Sequence, residues 1–304
     1  MKKVLVLYYS QSGQLSKMAE SVTGPLKDNP HIELDYCQVK PISDYPYPWP
    51  FYQFFDAFPE AIFMNGCPVE PINNRYDDYD LVIIAYSVWF LAPAIPITGF
   101  LQTEQAKKLL KDKPVVTLIA CRDMWVMAQE KMKNVLIELE ATLIDNVVLT
   151  DQGGSLYAFA TTPRWLLTGK KDPFLFFPAA GVCEKELQAS SRFGVRLSSS
   201  LDENLDTKGE PLLKNMGAVS VNGKLVATEK IATRSFMIWG KLIQKAGNPG
   251  DLSRKIVITI YSVFLLILVL TIVPLNILIR KIISPFTKKA IAKSVIEYEK
   301  PSGR

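Results

Sequence analysis

Five short apolar runs spaced between helical stretches constrain this chain more than any other feature. They are residues 3–9 (KVLVLYY), 32–39 (IELDYCQV), 80–86 (DLVIIAY), 114–121 (PVVTLIAC) and 145–150 (DNVVLT). Continuous apolar runs of this length, rich in Val, Ile and Leu, suit strands buried on both faces. Helical stretches fall at 15–27, from 125 to about 142, and at 184–204. Strand–helix alternation of this kind predicts an α/β chain with a doubly wound, five-stranded parallel sheet. Two regions break the rhythm and read as large insertions, 41–76 and 151–183. The first is crowded with Pro and aromatics (PISDYPYPWPFYQFFDAFPEAIF). An ordered insertion this long is read as a lid or wall over a site, or as a satellite core packed on the sheet.

Residues 256–279 (IVITIYSVFLLILVLTIVPLNILI) contain no charge. Twenty-four residues make about 36 Å of helix against a hydrocarbon core of roughly 30 Å, so the segment is expected to embed in a membrane. After Asn276 the chain carries seven Lys or Arg and two Glu, which accounts for the whole formal charge of +5. A basic tail beside an apolar segment points to anionic lipid rather than nucleic acid. A full span would export this tail against the positive-inside tendency. Pro274 offers a bend, and the stretch from Arg280 on looks amphipathic and cationic. Spanning and monotopic or re-entrant anchors both remain open. The organisation expected is a nucleotide-binding domain over 1–205, a linker and membrane-proximal segment over 206–253, and an anchor with basic tail over 254–304, at the cytoplasmic face of the membrane.

The cysteines at 37, 67, 121 and 183 have no CxxC spacing, and the single histidine is His31. No metal site is expected from such a set. With the short apolar run at the N-terminus read as a strand rather than a signal peptide, the cysteines are expected to be reduced thiols in a cytosolic compartment.

Between the first strand and the first helix lies Ser10-Gln11-Ser12-Gly13-Gln14-Leu15-Ser16. Backbone N–H groups of such a turn and of the helix N-terminus converge on one point, where the helix dipole favours an anion. An ordinary helix cap by Ser12 or Ser16 is the alternative. The position resembles the T-x-T-G-x-T phosphate loop of flavodoxins, which binds FMN; Leu15 departs from that pattern, with Ser16 the nearest hydroxyl. The resemblance implies that the loops after the third and fourth strands grip the flavin ring. Those loops hold Tyr86-Ser87-Val88-Trp89-Phe90 and Cys121-Arg122-Asp123-Met124-Trp125. Trp89, Phe90 and Trp125 offer stacking faces. Arg122 offers a cation to an enolate, and Tyr86 and Asp123 are the candidates for a base.

The runs DYPYPWP, FFDAFPE, YSVWFLAPAIP, TLIACRDMW and WLLTGKKDPFLFFPAAGV resemble the flavodoxin-like proteins of bacterial dialkylresorcinol and aryl-polyene-type pigment biosynthesis, often labelled dialkylresorcinol condensing enzymes. The resemblance covers most of residues 1–200. It implies an FMN-dependent aromatase, an oxidoreductase that converts a dialkyl cyclohexanedione-type intermediate from a partner ketosynthase into a dialkylresorcinol. The "condensing" label fits poorly, since thiolase-type condensation needs a cysteine nucleophile with partner side chains, usually histidines. A hydrophobic small-molecule substrate and membrane lipid are the expected partners, and a homodimer is expected by analogy with flavodoxin-like reductases. A membrane-associated NAD(P)H-dependent quinone or flavin reductase is the second enzymatic reading. A flavodoxin-fold binding or scaffold protein without flavin is the non-enzymatic one.

Overall fold

The computed structural model describes residues 1–154 and 157–300, with the backbone alone at 207, 272–287 and 290. The apolar runs form strands β1 (Lys2–Tyr8), β2 (Ile32–Gln38), β3 (Leu81–Trp89), β5 (Pro114–Cys121) and β6 (Thr142–Thr150), with a two-residue β4 (Ala92–Pro93). The order is β2-β1-β3-β5-β6, every neighbouring pair parallel, and β4 folds back antiparallel on β3. This is the 2-1-3-4-5 order of the flavodoxin-like doubly wound sheet, whose switch point lies between β1 and β3.

Strand burial explains why the runs are apolar throughout. Val4, Val6, Ile83, Val116 and Leu118 face α1 (Gln14–Lys27), α8 (Glu184–Ala189) and α9 (Ser191–Asp202). Leu5, Leu7, Val82, Ile84, Val115 and Ile119 face α4 (Ile95–Leu101), α5 (Glu104–Leu110) and α6 (Val126–Glu138). On the first layer α1 and α9 meet at Gly194, where a Cβ would lie 1.8 Å from the Val22 carbonyl oxygen. The helix expected up to about residue 142 ends at Glu138, because β6 takes up the chain at Thr142.

The 41–76 insertion is both a wall and a satellite core. Its segment before α2 (Phe51–Asp56) lies against the loop after β1, while α3 (Phe58–Ile62) joins a separate apolar cluster with α10 (Gly223–Ala246) and the first turns of α11 (Leu252–Tyr298). The second insertion carries α7 (Ala158–Thr168). The apolar C-terminal segment lies within the first part of a 47-residue helical element. The bend expected at Pro274 lies outside the described side chains, as do Arg280 and Lys281.

One buried cation joins α11 to the insertion. Arg254, 1% exposed, donates through Nε to Asp56 Oδ1, and through one terminal nitrogen to the Asp56 carbonyl at 2.6 Å and to Glu60 Oε2 at 2.7 Å. Fork geometry suits a guanidinium and not an ammonium. Seven residues on, Tyr261 stacks on Phe58 at 4.9 Å and meets Trp239 of α10 at 5.3 Å. Removing one partner of a buried charge cluster costs about 3–5 kcal/mol, less where the remaining carboxylates reach solvent. Arg254→Ala should therefore lower the stability of the detergent-purified protein by roughly 2–3 kcal/mol, and Arg254→Lys should recover only part of it. Thermal unfolding that leaves both variants at the wild-type midpoint would show that the cluster adds no stability.

Candidate functional site

The loop after β1 leaves an open row of donors. Gly13 sits at the N-cap of α1 in the left-handed region (φ 81°), makes no side-chain cap, and a Cβ there would meet nothing within 4 Å. The first turn of α1 holds no acidic residue. Among the described residues no acceptor faces the backbone N–H groups of Gln11, Ser12 and Gly13. A helix N-terminus whose N-cap residue is a glycine with no side chain to offer, and which has no acid of its own, leaves donors that can take an external anion. Ser12 is exposed at the loop tip, whereas Ser10 Oγ accepts the Ser16 N–H at 3.3 Å. Neither Ser12 nor Ser16 is the helix cap that the alternative reading allowed. Leu15, 3% exposed, points into the core beneath the loop. Its side chain is therefore not a cofactor contact; the position serves the core and offers only its backbone. These donors fit a phosphate.

Two glutamines tie the loop to both insertions. Gln11 Nε2 donates to the Pro46 carbonyl at 2.8 Å, and Gln11 Oε1 accepts from Trp49 Nε1 at 3.0 Å. Gln14 pairs with Val182 through both backbone groups, donating to its carbonyl at 3.0 Å and accepting its N–H at 3.2 Å. The sequence reading gave both to the cofactor; the structure has their side chains holding the walls of the site.

Aromatic rings line the switch point. Trp89, at the end of β3, meets Tyr9, just after β1, at 5.9 Å, and meets Tyr45 and Trp49 of the insertion at 5.2 and 5.3 Å, all edge-on. The expected loop at 86–90 is instead mostly strand. β3 runs through Trp89 and turns tightly at Phe90 and Leu91, with φ of 50° and 61°, before pairing as β4. Two consecutive left-handed residues make a primed-type turn usually given to Asn-Gly, and without Gly it is strained. Packing holds it: Phe90 meets Phe54 at 4.8 Å and Phe58 at 5.1 Å, and Leu91 is buried. Val88 and Ser87 lie on β3, half-buried, with the Ser87 carbonyl accepting from Ala94.

Tyr86 is not a base at this site. It is 0% exposed, and its hydroxyl donates to Gln129 Oε1 at 2.5 Å inside the core, with Gln129 in turn donating to Thr117. Burial pushes its phenol well above the ordinary range. Trp125 is also core, 2% exposed, so it offers no stacking face. The Cys121 thiol is pushed up by burial, with Glu229, Asp123 and Asp151 adding to the effect. Arg122, Asp123 and Met124 are half-buried beyond the end of β5. Burial lowers the Arg122 guanidinium to about 10, against the pull of Asp123 and Asp151, so it keeps its charge at neutral pH. Its guanidinium carbon lies 4.6 Å over the Phe159 ring of α7. His31 is exposed at the start of β2, at the end of the sheet opposite these loops.

Two carboxylates that no local pattern announced complete the frame. Asp151, after β6, accepts the N–H of Gly153 at 2.7 Å and of Gly181 at 2.8 Å, which fixes the strand of chain that Gln14 grips. Glu229 of α10, 1% exposed, accepts the Met127 N–H at 2.9 Å and so caps α6 from a distance, where Trp125 gives no side-chain cap. Its partner is 102 residues away in sequence, and only the fold brings the two together.

No protein-family model and no curated protein matches this sequence. Similar solved structures include a flavoprotein in complex with FMN from Lactobacillus acidophilus NCFM, at 26% identity over 49% of this chain and 93% of that one, with a TM-score of 0.40. A flavodoxin from the domain Archaea shares 13% identity over 66% and 99% of the two chains, with a TM-score of 0.37. A flavone reductase shares 11% over 67% and 65%, also at 0.37. At scores this low the fold rests on the strand order itself.

Burial raises the Glu229 carboxyl to about 7, chiefly by desolvation, while backbone donors of α6 oppose the rise. A carboxyl whose folded value exceeds its unfolded value stabilises most below about pH 4.5 and loses that contribution as pH rises through 7. Glu229→Gln keeps an acceptor for Met127 and removes the titration. Between pH 5 and 8 its thermal midpoint should fall less steeply than that of the wild type, by on the order of 2 kcal/mol in stability. Parallel curves would mean that Glu229 does not titrate in this window.

Proposed function

We propose that this protein is an FMN-dependent oxidoreductase, and that it oxidises a dialkyl cyclohexanedione-type intermediate to a dialkylresorcinol. The observation that carries the flavin reading is the row of open backbone N–H groups at 11–13, leading into the acid-free start of α1 beside an aromatic-lined switch point. The backbone N–H groups of 11–13 and the hydroxyl of Ser12 would hold the FMN phosphate. Tyr45 and Trp89, both half-buried, are the rings that would meet a flat ring at that point, with the buried Tyr9 and Trp49 packed edge-on against Trp89. The aromatase reading rests on the resemblance of residues 1–200 to the pigment-biosynthesis family.

When bound, FMN supplies a two-electron hydride acceptor. The chain's own share is orientation and charge. Arg122, cationic and seated on Phe159, would hold a carboxylate or the enolate of a 1,3-diketone. Loss of a hydride from one ring carbon to the acceptor and of a proton from its neighbour, with the carboxylate leaving as CO2 and its bonding pair taking up a proton, would after enolisation leave an aromatic diol, which makes the conversion strongly downhill. The substrate carries two alkyl chains and partitions into lipid. The insertion that walls the site also carries α2, whose exposed Phe51 and Tyr52 stand beside α11, with the Tyr52 hydroxyl 3.3 Å from Thr259 Oγ1. A wall shared between the site and the apolar helix suits such a substrate.

Two measurements test the proposal. Under anaerobic conditions a dialkylcyclohexane-1,3-dione should bleach the flavin band of the FMN-loaded protein and yield the resorcinol. Rapid bleaching by NADPH with none by the dione would favour a quinone or flavin reductase instead. Ser12→Glu, which places a carboxylate at the anion position, should weaken FMN binding at least tenfold, about 1.4 kcal/mol, with an unchanged circular dichroism spectrum. Unaltered FMN affinity would place the phosphate elsewhere.

A further inference from the structure

Both ends of the apolar helix α11 are fastened to the same helix of the same domain. Near its start, Tyr261 and Phe264 meet Trp239 of α10 at 5.3 and 5.1 Å. Near its end, Val295 and Ile291 pack so closely on Gly223 that a Cβ there would lie 2.6 Å from Val295 Cγ2 and 3.3 Å from the Ile291 carbonyl oxygen. Lys230 Nζ lies 5.3 Å from the Tyr298 ring centroid, and Glu299 Oε1 accepts the Val221 N–H at 3.3 Å. From Tyr261 to Val295 a straight helix would advance about 51 Å. From Trp239 back to Gly223, α10 advances only about 24 Å. Contacts this short at both ends cannot absorb the difference, so the two flanks of the apolar run return to one side of the domain.

The outer face of this element is apolar and rimmed with positive charge. Ile256, Ile260, Val263, Leu266, Ile267 and Leu270 are more than half exposed. The stretch Leu252–Thr271 is long and apolar enough to cross a membrane. Residues 230–296 contain eleven Lys or Arg and a single acidic residue, Asp251. Lys241, Lys245, Lys255, Lys288, Lys289 and Lys293 are all exposed. An apolar patch of this length is a lipid or protein interface, and its cationic rim matches an anionic bilayer. A span would place the Lys293 end across the membrane from Arg254, which its contacts with α10 forbid.

We infer that α11 is a re-entrant anchor: its apolar run dips into an anionic bilayer and comes back, leaving Lys255 and Lys293 on the same side as the α/β domain. The inference is independent of the redox reading, because it uses no residue of the flavin site.

The test uses the full chain in a Cys183→Ser background, added to preformed phosphatidylcholine–phosphatidylglycerol vesicles. Lys255→Cys and Lys293→Cys are labelled separately with a membrane-impermeant maleimide, with and without detergent. The ratio of external labelling between the two should be within twofold of one. Protection of Lys293→Cys until detergent is added, with Lys255→Cys already labelled, would overturn the inference in favour of a span. Leu266→Glu combined with Leu270→Glu alters two exposed positions and should cut co-flotation with these vesicles at least tenfold. Unchanged flotation of that variant, or no flotation of the parent chain, would equally overturn it.

Discussion

A guanidinium buried at the base of an apolar helix joins that helix to the insertion that walls the site. Arg254 satisfies Asp56 and Glu60 at once, and those two carboxylates belong to the insertion that walls the site. From there the connection is short. The insertion reaches Trp49, Trp49 donates to Gln11, and Gln11 belongs to the loop whose N–H groups stand open. A buried charge is costly unless all its donors are matched, so the apolar helix, the insertion and the loop are held in one relative position.

The sheet was legible because its strands are buried on both faces, which leaves runs such as KVLVLYY with no polar alternation to misread. Given the strand order, right-handed crossovers put α1 on one face of the sheet and α4, α5 and α6 on the other. The short helices α4 and α5 were not legible; Pro96 near the start of one and the brevity of both give no periodic signal. The insertion was read as wall or satellite core, and the structure makes different segments of it do each.

The site was legible where backbone geometry defines it and illegible where tertiary contacts do. SQSGQLS was read from its position as the turn between the first strand and the first helix, and β1 and α1 flank it. Tyr86 was misassigned because a tyrosine near a strand end reads as facing a cleft, and its partner Gln129 lies on a helix 43 residues on. Trp125 looked like a stacking ring and is core. Asp151 and Glu229 carry no motif, and their roles depend on chain segments brought in from far away. The positive φ values at Phe90 and Leu91 leave no trace in a sequence that lacks glycine there. Hydrophobic length alone left the topology of the C-terminal segment open; the contacts at Gly223 and Trp239, from which the re-entrant anchor is inferred, join residues far apart in the sequence.

The open N-terminus of α1 is the point on which the functional account stands, and the direct test is the absorbance spectrum of the detergent-purified full chain with its released cofactor identified. FMN in about equimolar amount, or taken up when supplied, is the expected result. A colourless protein that takes up no added FMN would contradict the redox reading and leave a flavodoxin-fold scaffold in its place.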